Sequence, residues 1–202
     1  MIKLSAFSLA LLGMLLFSSC SSEDVSTPTS RYAAALKAGL SSSTVTNDVF
    51  FGLQLAETDR EFYDRCTELN GKQLIEMGSG GNRVNYKLPD ELLRPAVLTF
   101  YPDFSKDRPR IIKAMDFEIA YVDWSPWNKP AYAGPLLEDI GRSWVSEIFG
   151  PGFEVVPHAH HGKVLVQVKN NRRTALWAAD ERIVRGRVTN LRALPDEKLG
   201  LE

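Results

Sequence analysis

Three histidines fall within four residues, in the run Pro157-His158-Ala159-His160-His161-Gly162. In an extended segment His158 and His160 face the same way and could share Zn²⁺ or Cu²⁺. A structural site takes four ligands, however, and no Cys or acid stands beside them. The expected reading is a solvated hairpin turn, with a weak metal site as the alternative. The glycine-rich stretch 78–81 has no following Lys-Ser/Thr and opens no helix, which makes it a turn and not a phosphate cradle. No spacing of Ser, His and Asp suggests a nucleophilic triad, and no carboxylate pair stands out from the dispersed acids. Cys66 recurs with Phe62 and Leu69 at helical spacing, the pattern of a small core side chain; a reactive thiol needs exposure and a nearby base. No catalytic residue, metal or cofactor is expected.

Two features point to binding. Between positions 163 and 192 there are eight Lys/Arg against two acids, Asp180 and Glu181. Alternation sets Lys163, Gln167 and Lys169 opposite Val164, Val166 and Val168, and sets Arg185 and Arg187 opposite Val184 and Val188. If the valine side packs on a helix, Lys163, Lys169, Arg185 and Arg187 form one open basic face for an anionic glycan, a lipid phosphate or an acidic protein. The other feature is Trp124-Ser125-Pro126-Trp127. Flat aromatic rings stack on sugars, but a pair of tryptophans between two cores is expected first to fill the junction.

The elements that would carry these residues follow from periodicity and punctuation. Thr58-Asp59-Arg60-Glu61 has the spacing of a capping box, and the helix it starts ends at Asn70-Gly71. Strands are expected at 74–77, 84–88, 96–101 and 110–122. Pro135 suits the first turn of a second helix with Leu136, Ile140, Trp144 and Ile148 on one stripe, stopped by Gly150-Pro151-Gly152. Strands are then expected at 153–156, 163–169, 172–178 and 183–191. The order, one helix and then about four strands, occurs twice. The expected fold class is therefore α+β, with two tandem helix-then-antiparallel-meander units, 48–123 and 124–202, each burying one sheet face and leaving the other available.

Upstream, Lys3 precedes an apolar run from Leu9 to Phe17, the order of a secretory signal and too short to span a bilayer. The sequence Leu16-Phe17-Ser18-Ser19-Cys20 resembles the lipobox of bacterial lipoproteins, in which the cysteine is acylated and becomes the first residue. It departs from the commonest form at Phe17. The resemblance implies a signal peptide over 1–19, lipid on Cys20, and attachment to a membrane outside the cytoplasm. Ser21-Ser22-Glu23-Asp24 is similar to a signal that carries such proteins to the cell exterior in some Gram-negative anaerobes, and equally reads as a solvated linker. Residues 20–47, rich in Ser and Thr, are expected as a disordered tether interrupted by a short Ala-rich helix at 31–38, capped by Ser30 and stopped by Gly39.

Phe51-Gly52-Leu53 followed by Thr58 to Phe62 resembles the opening of small periplasmic or outer-membrane lipoprotein modules. The tandem layout is similar to β-lactamase-inhibitor-like folds, which bind proteins on a sheet. FGLQLAETDREFYDRCTELN with DWSPWN resembles Gram-negative lipoproteins of no established activity. The implied function is a lipid-anchored binding or assembly module of the outer membrane that meets an envelope protein through an open sheet face, with display on the cell exterior implied by the acidic signal after Cys20. Glycan binding is the alternative, and an envelope hydrolase is less favoured. The chain is near neutral, with a formal charge of -1 and 44% apolar residues. That balance gives a globular body and no reason to expect nucleic acid.

Overall fold

The computed structural model describes residues 27–78, 83–88 and 92–199. The leader, Cys20, Glu23-Asp24 and most of the glycine-rich turn lie outside the described residues.

The first described element is α1 (Pro28–Ser41), capped by Thr27, whose side chain accepts from the Ser30 N–H. This corrects the expectation of a disordered tether reaching residue 47. Gly39 does not stop the helix. It is buried inside it, and a Cβ there would stand 2.5 Å from the Asn170 carbonyl oxygen and 2.6 Å from a Val168 methyl. Only glycine lets the helix backbone lie that close to its neighbour. Arg31 donates to both oxygens of the Glu154 carboxylate at 2.8 and 2.7 Å. After the helix, the Thr46 N–H donates to Asn171 Oδ1 at 2.6 Å, and Arg192 donates to the Ser42 and Ser43 carbonyls. The helix docks through partners more than a hundred residues away, which local composition does not encode.

The next helix, α2 (Asp59–Gly71), starts as its sequence dictates: Thr58 and Glu61 form the reciprocal capping box. A meander follows, β1 (Glu76–Met77), β2 (Val84–Lys87), β3 (Ala96–Phe104) and β4 (Ile112–Tyr121). A short 3-10 helix, Pro126–Ala131, leads to α3 (Ala133–Arg142) and α4 (Trp144–Phe149). The stripe expected on one helix is thus split at Ser143, yet Leu136, Ile140, Trp144 and Val145 are all buried. The second meander is β5 (Glu154–His158), β6 (Gly162–Lys169), β7 (Arg172–Ala178) and β8 (Ile183–Asn190).

All eight strands join one antiparallel sheet in the order β1-β2-β3-β4-β8-β7-β6-β5. The two meanders meet last strand to last strand, with Phe117 opposite Gly186 and Asp116 opposite Arg187. One apolar core crosses that seam. Leu98, Phe100, Phe117, Ile119, Leu176, Val184 and Val188 of the sheet pack with Phe50, Leu136, Ile140 and Trp144. Full burial of each such side chain contributes about 1.5–3 kcal/mol, so this layer dominates the stability.

The opposite face of the sheet is divided. Over the second meander a smaller cluster, Val156, Val164, Val166, Ala175 and Trp177, is covered by Tyr32 of α1 and Leu199 near the C-terminus. Over β2, β3, β4 and β8 the outward positions carry Asn85, Thr99, Tyr101, Asp116, Glu118, Arg185 and Arg187, none fully buried, with Val97, Ala120 and Ile183 among them. Alternation in β3 and β4 sorts the chain cleanly there, Leu98, Phe100, Phe117 and Ile119 inward and Thr99, Tyr101, Asp116 and Glu118 outward.

Candidate functional site

The outward polar half of the sheet is a ladder of opposite charges built by strand register. On β4, Asp116 and Glu118 stand two residues apart and so share a face. Their cross-strand partners on β8 are Arg187 and Arg185. Arg185 donates to Glu118 Oε1 at 2.8 Å, and Arg83, beside β2, reaches Glu118 Oε2 at 3.4 Å. Arg187 donates to Asp116 at 2.5 Å and to Asp103 of β3 at 2.9 Å. Lys113 adds a further contact to Asp103 at 3.4 Å. The Arg83 guanidinium lies 5.2 Å from the ring centre of Tyr101, a cation over an aromatic face. Thr99 donates to Asn85 at 2.9 Å.

Electrostatics separates the two rungs. Burial pushes the Asp116 carboxyl above its ordinary value, against the hydrogen bond and charge of Arg187. Burial also raises Tyr101, with Asp116 and Glu118 adding to it. A raised carboxyl on a sheet is the one feature here that suits a proton donor. Arg187 holds it in an ion pair. Arg185, with its side chain 45% exposed, and Arg83 remain open to solvent. The ladder is therefore equipped to present guanidinium forks, a phenol and amide groups to a partner.

The four basic positions expected on one face are divided between two. Register puts Arg185 and Arg187 on the outer face but Lys163 and Lys169 on the helix side, the face of Leu165 and Arg172. In β6 the valines turn towards α1, whereas in β8 Val184 and Val188 turn towards α3 and α4. β6 and β7 are covered on both faces, by α1 and the C-terminal segment on one and by α3 and α4 on the other, so the assumption that every valine faces one helix layer fails. Arg187 is also not free, since its side chain is only 14% exposed and it pairs with three carboxylates.

The tryptophans part company as well. Trp124 packs on the core edge with Arg182 5.4 Å over its ring, while Trp127 is 93% exposed on the 3-10 helix. The expected junction plug is thus one tryptophan and not two. His158 Nδ1 accepts from the N–H groups of His160 and His161, both at 3.2 Å, which makes it the internal cap of the β5–β6 turn. Among the described residues no three His, Cys, Asp or Glu converge as metal ligands.

Cys66 lines a cleft of about 260 Å³ between α2 and the β1–β2 edge, with Phe62, Ile75, Met77 and Val84. Burial pushes its thiol up to about 11. Alkylation by iodoacetamide at pH 8 should accordingly run about a hundredfold slower than for an unburied cysteine, matching its thiolate deficit. Reaction at the free-cysteine rate, followed by mass spectrometry, would contradict a thiol raised by partial burial.

Sequence reasoning missed Arg83, Tyr101, Asp116, Glu118, Arg173 and Glu197. The alternation in β4 was visible as a signal, but the pairing of β4 with β8 that turns alternation into ion pairs was not. No family model, curated protein or solved structure matches this chain, so its functional reading is built from this geometry.

Proposed function

We propose that the chain is a lipid-anchored, non-catalytic binding module of the cell envelope that meets an envelope protein through the charged ladder on β2, β3, β4 and β8. One observation carries this reading. Half of the outer sheet face is covered by α1 and the C-terminal segment, and the other half carries the charged ladder, with Arg83 and Arg185 open to solvent and Tyr101 beside Arg83. Such a surface favours a polar partner and sets its orientation more than its affinity.

Attachment in this reading rests on Cys20 and its lipobox-like surroundings; among the described residues no helix is long and apolar enough to cross a membrane. Docking of α1 shortens the leash. From Cys20 to Thr27 the chain spans roughly 25 Å at most, at about 3.3–3.6 Å per residue, so the body sits close to the lipid. The first turn of α1 docks on β5, the sheet edge. The ladder begins three strands inward, roughly 15 Å away at about 4.8 Å per strand. A neighbour would be met sideways.

The test is chemical crosslinking in intact cells, comparing wild type, Arg83→Glu/Arg185→Glu and Cys20→Ser. Recovery of crosslinked neighbours should fall at least fivefold in the double reversal, and Cys20→Ser should leave the membrane fraction. Unchanged recovery from the double reversal removes the ladder as the contact surface. The exposure of Trp127 favours a second reading, glycan stacking, and in that case Trp127→Ala is the variant that loses its neighbour.

A further inference from the structure

We propose that Arg173, Arg187 and Thr189 form a carboxylate site for an acidic peptide, and that Glu197 of the chain's own C-terminal segment is its resident occupant. The proposal rests on the reading of this sheet face as a partner surface and names the chemistry it selects.

Arg173 of β7 is buried to 1% exposure, but its cross-strand neighbours, Val168 and Thr189, bring it no charge. Its counter-charge comes from the segment after β8. Arg173 donates to Glu197 Oε2 at 2.5 Å and to the carbonyls of Glu197 and Lys198 at 2.8 and 3.1 Å. The same carboxylate accepts from Thr189 Oγ1 at 2.7 Å and from Arg187 Nε at 2.9 Å. Three side chains on two strands thus converge on one carboxylate, and two of the bonds read the main chain around it. That is the pattern of peptide recognition, with charge-assisted contacts supplying geometric selection.

The occupant is held like a ligand. No ladder pairs the segment with a strand among the described residues, and the Glu197 N–H donates locally, to the Leu194 carbonyl at 3.3 Å. What docks is Glu197 and, two positions on, Leu199 against the cluster of Val164, Val166 and Trp177. The site therefore selects an acidic residue followed at the second position by an apolar one. It is continuous with the charged ladder, because Arg187 bonds Glu197 on one side and Asp116 on the other. A segment joined to β8 by a few residues occupies its site at an effective concentration in the millimolar range, so the intact chain resists competing peptides.

The test measures fluorescence anisotropy of a labelled, end-blocked peptide Pro-Asp-Glu-Lys-Leu, the sequence of 195–199, with full-length wild type and full-length Glu197→Ala. The variant should bind at least tenfold more tightly than wild type. Glu→Gln within the peptide should weaken binding at least tenfold, and Leu→Ala should weaken it too. A second variant, the chain ended after Leu194 and checked by circular dichroism, should bind the peptide most tightly. If neither variant binds the peptide, or if the Gln peptide binds equally well, Glu197 is a structural staple and the proposal falls. Failure here leaves the Arg83/Arg185 crosslinking result untouched, and failure there leaves peptide binding untouched, so the two readings fall separately.

Discussion

Replacing Gly186 by alanine is expected to destabilise the protein by about 2–3 kcal/mol, the reverse of what a strand glycine ordinarily gives. Glycine within a strand costs roughly 0.5–1 kcal/mol relative to alanine, because the unfolded chain has more freedom to lose. The backbone at Gly186 does not have positive φ, so it would accept a Cβ. The space would not. A Cβ there would overlap three ring carbons of Phe117, the residue directly opposite across the β4–β8 seam. The ring has no room to retreat. It is fully buried, with Phe50 and Trp144 packed edge-on against it at 5.9 and 6.1 Å between ring centres. Overpacking at the one line where the two meanders join outweighs the gain in the unfolded state.

Urea denaturation measures this directly, with a lowered midpoint at unchanged slope. Phe117→Leu placed on top of Gly186→Ala should recover part of the loss, a coupling that identifies the ring as the obstacle. A stability gain for Gly186→Ala would show that the seam is looser than the register implies.

Gly186 also marks where sequence reading stops. The strand around it was legible: Val184 and Val188 alternate with Arg185 and Arg187, and a glycine inside such a run signals close approach of something. What approaches is Phe117, nearly seventy residues away, and only the register of β4 on β8 supplies it. The same limit governs the charged ladder. The carboxylates of β4 and the arginines of β8 each alternate in their own strand, but nothing local says that these two strands are neighbours.

The element order was legible because its signals are local. The Thr58 to Glu61 box, the Asn170-Asn171 turn and the valines of β6 are each complete within a few residues. The docking of α1 was not legible, because its hold comes from Arg31 on Glu154 and from the fit of Gly39 over Val168. Assigning valines to a single layer failed for a related reason. Where helices cover both faces of a sheet, a period of two identifies two faces and ranks neither.

Replacing Arg187 by alanine is expected to cost about 3–5 kcal/mol at neutral pH, the scale for removing one partner from a buried ionic cluster. Its guanidinium is the common donor to Asp103, Asp116 and Glu197, with contacts between 2.5 and 2.9 Å. Without it, three carboxylates face one another on a sheet that already keeps Asp116 partly from water. The loss should depend on pH, and its sign follows from Asp116. Burial holds its folded carboxyl above the ordinary value, and the hydrogen bond and charge of Arg187 pull it down. In the variant the folded value rises further. A carboxyl raised on folding adds stability below its unfolded value, near 4, and loses it as pH climbs through the folded value. The deficit of Arg187→Ala against wild type should therefore be widest at pH 7 and narrow as pH falls towards 4. Urea midpoints for both chains at pH 7, 5.5 and 4 test this. Asp116→Asn on the Arg187→Ala background should remove much of the pH dependence and return part of the stability, because an amide carries no charge to desolvate. A deficit that stays constant across that range would place the contribution of Arg187 in packing of its stem and not in the ion cluster it joins.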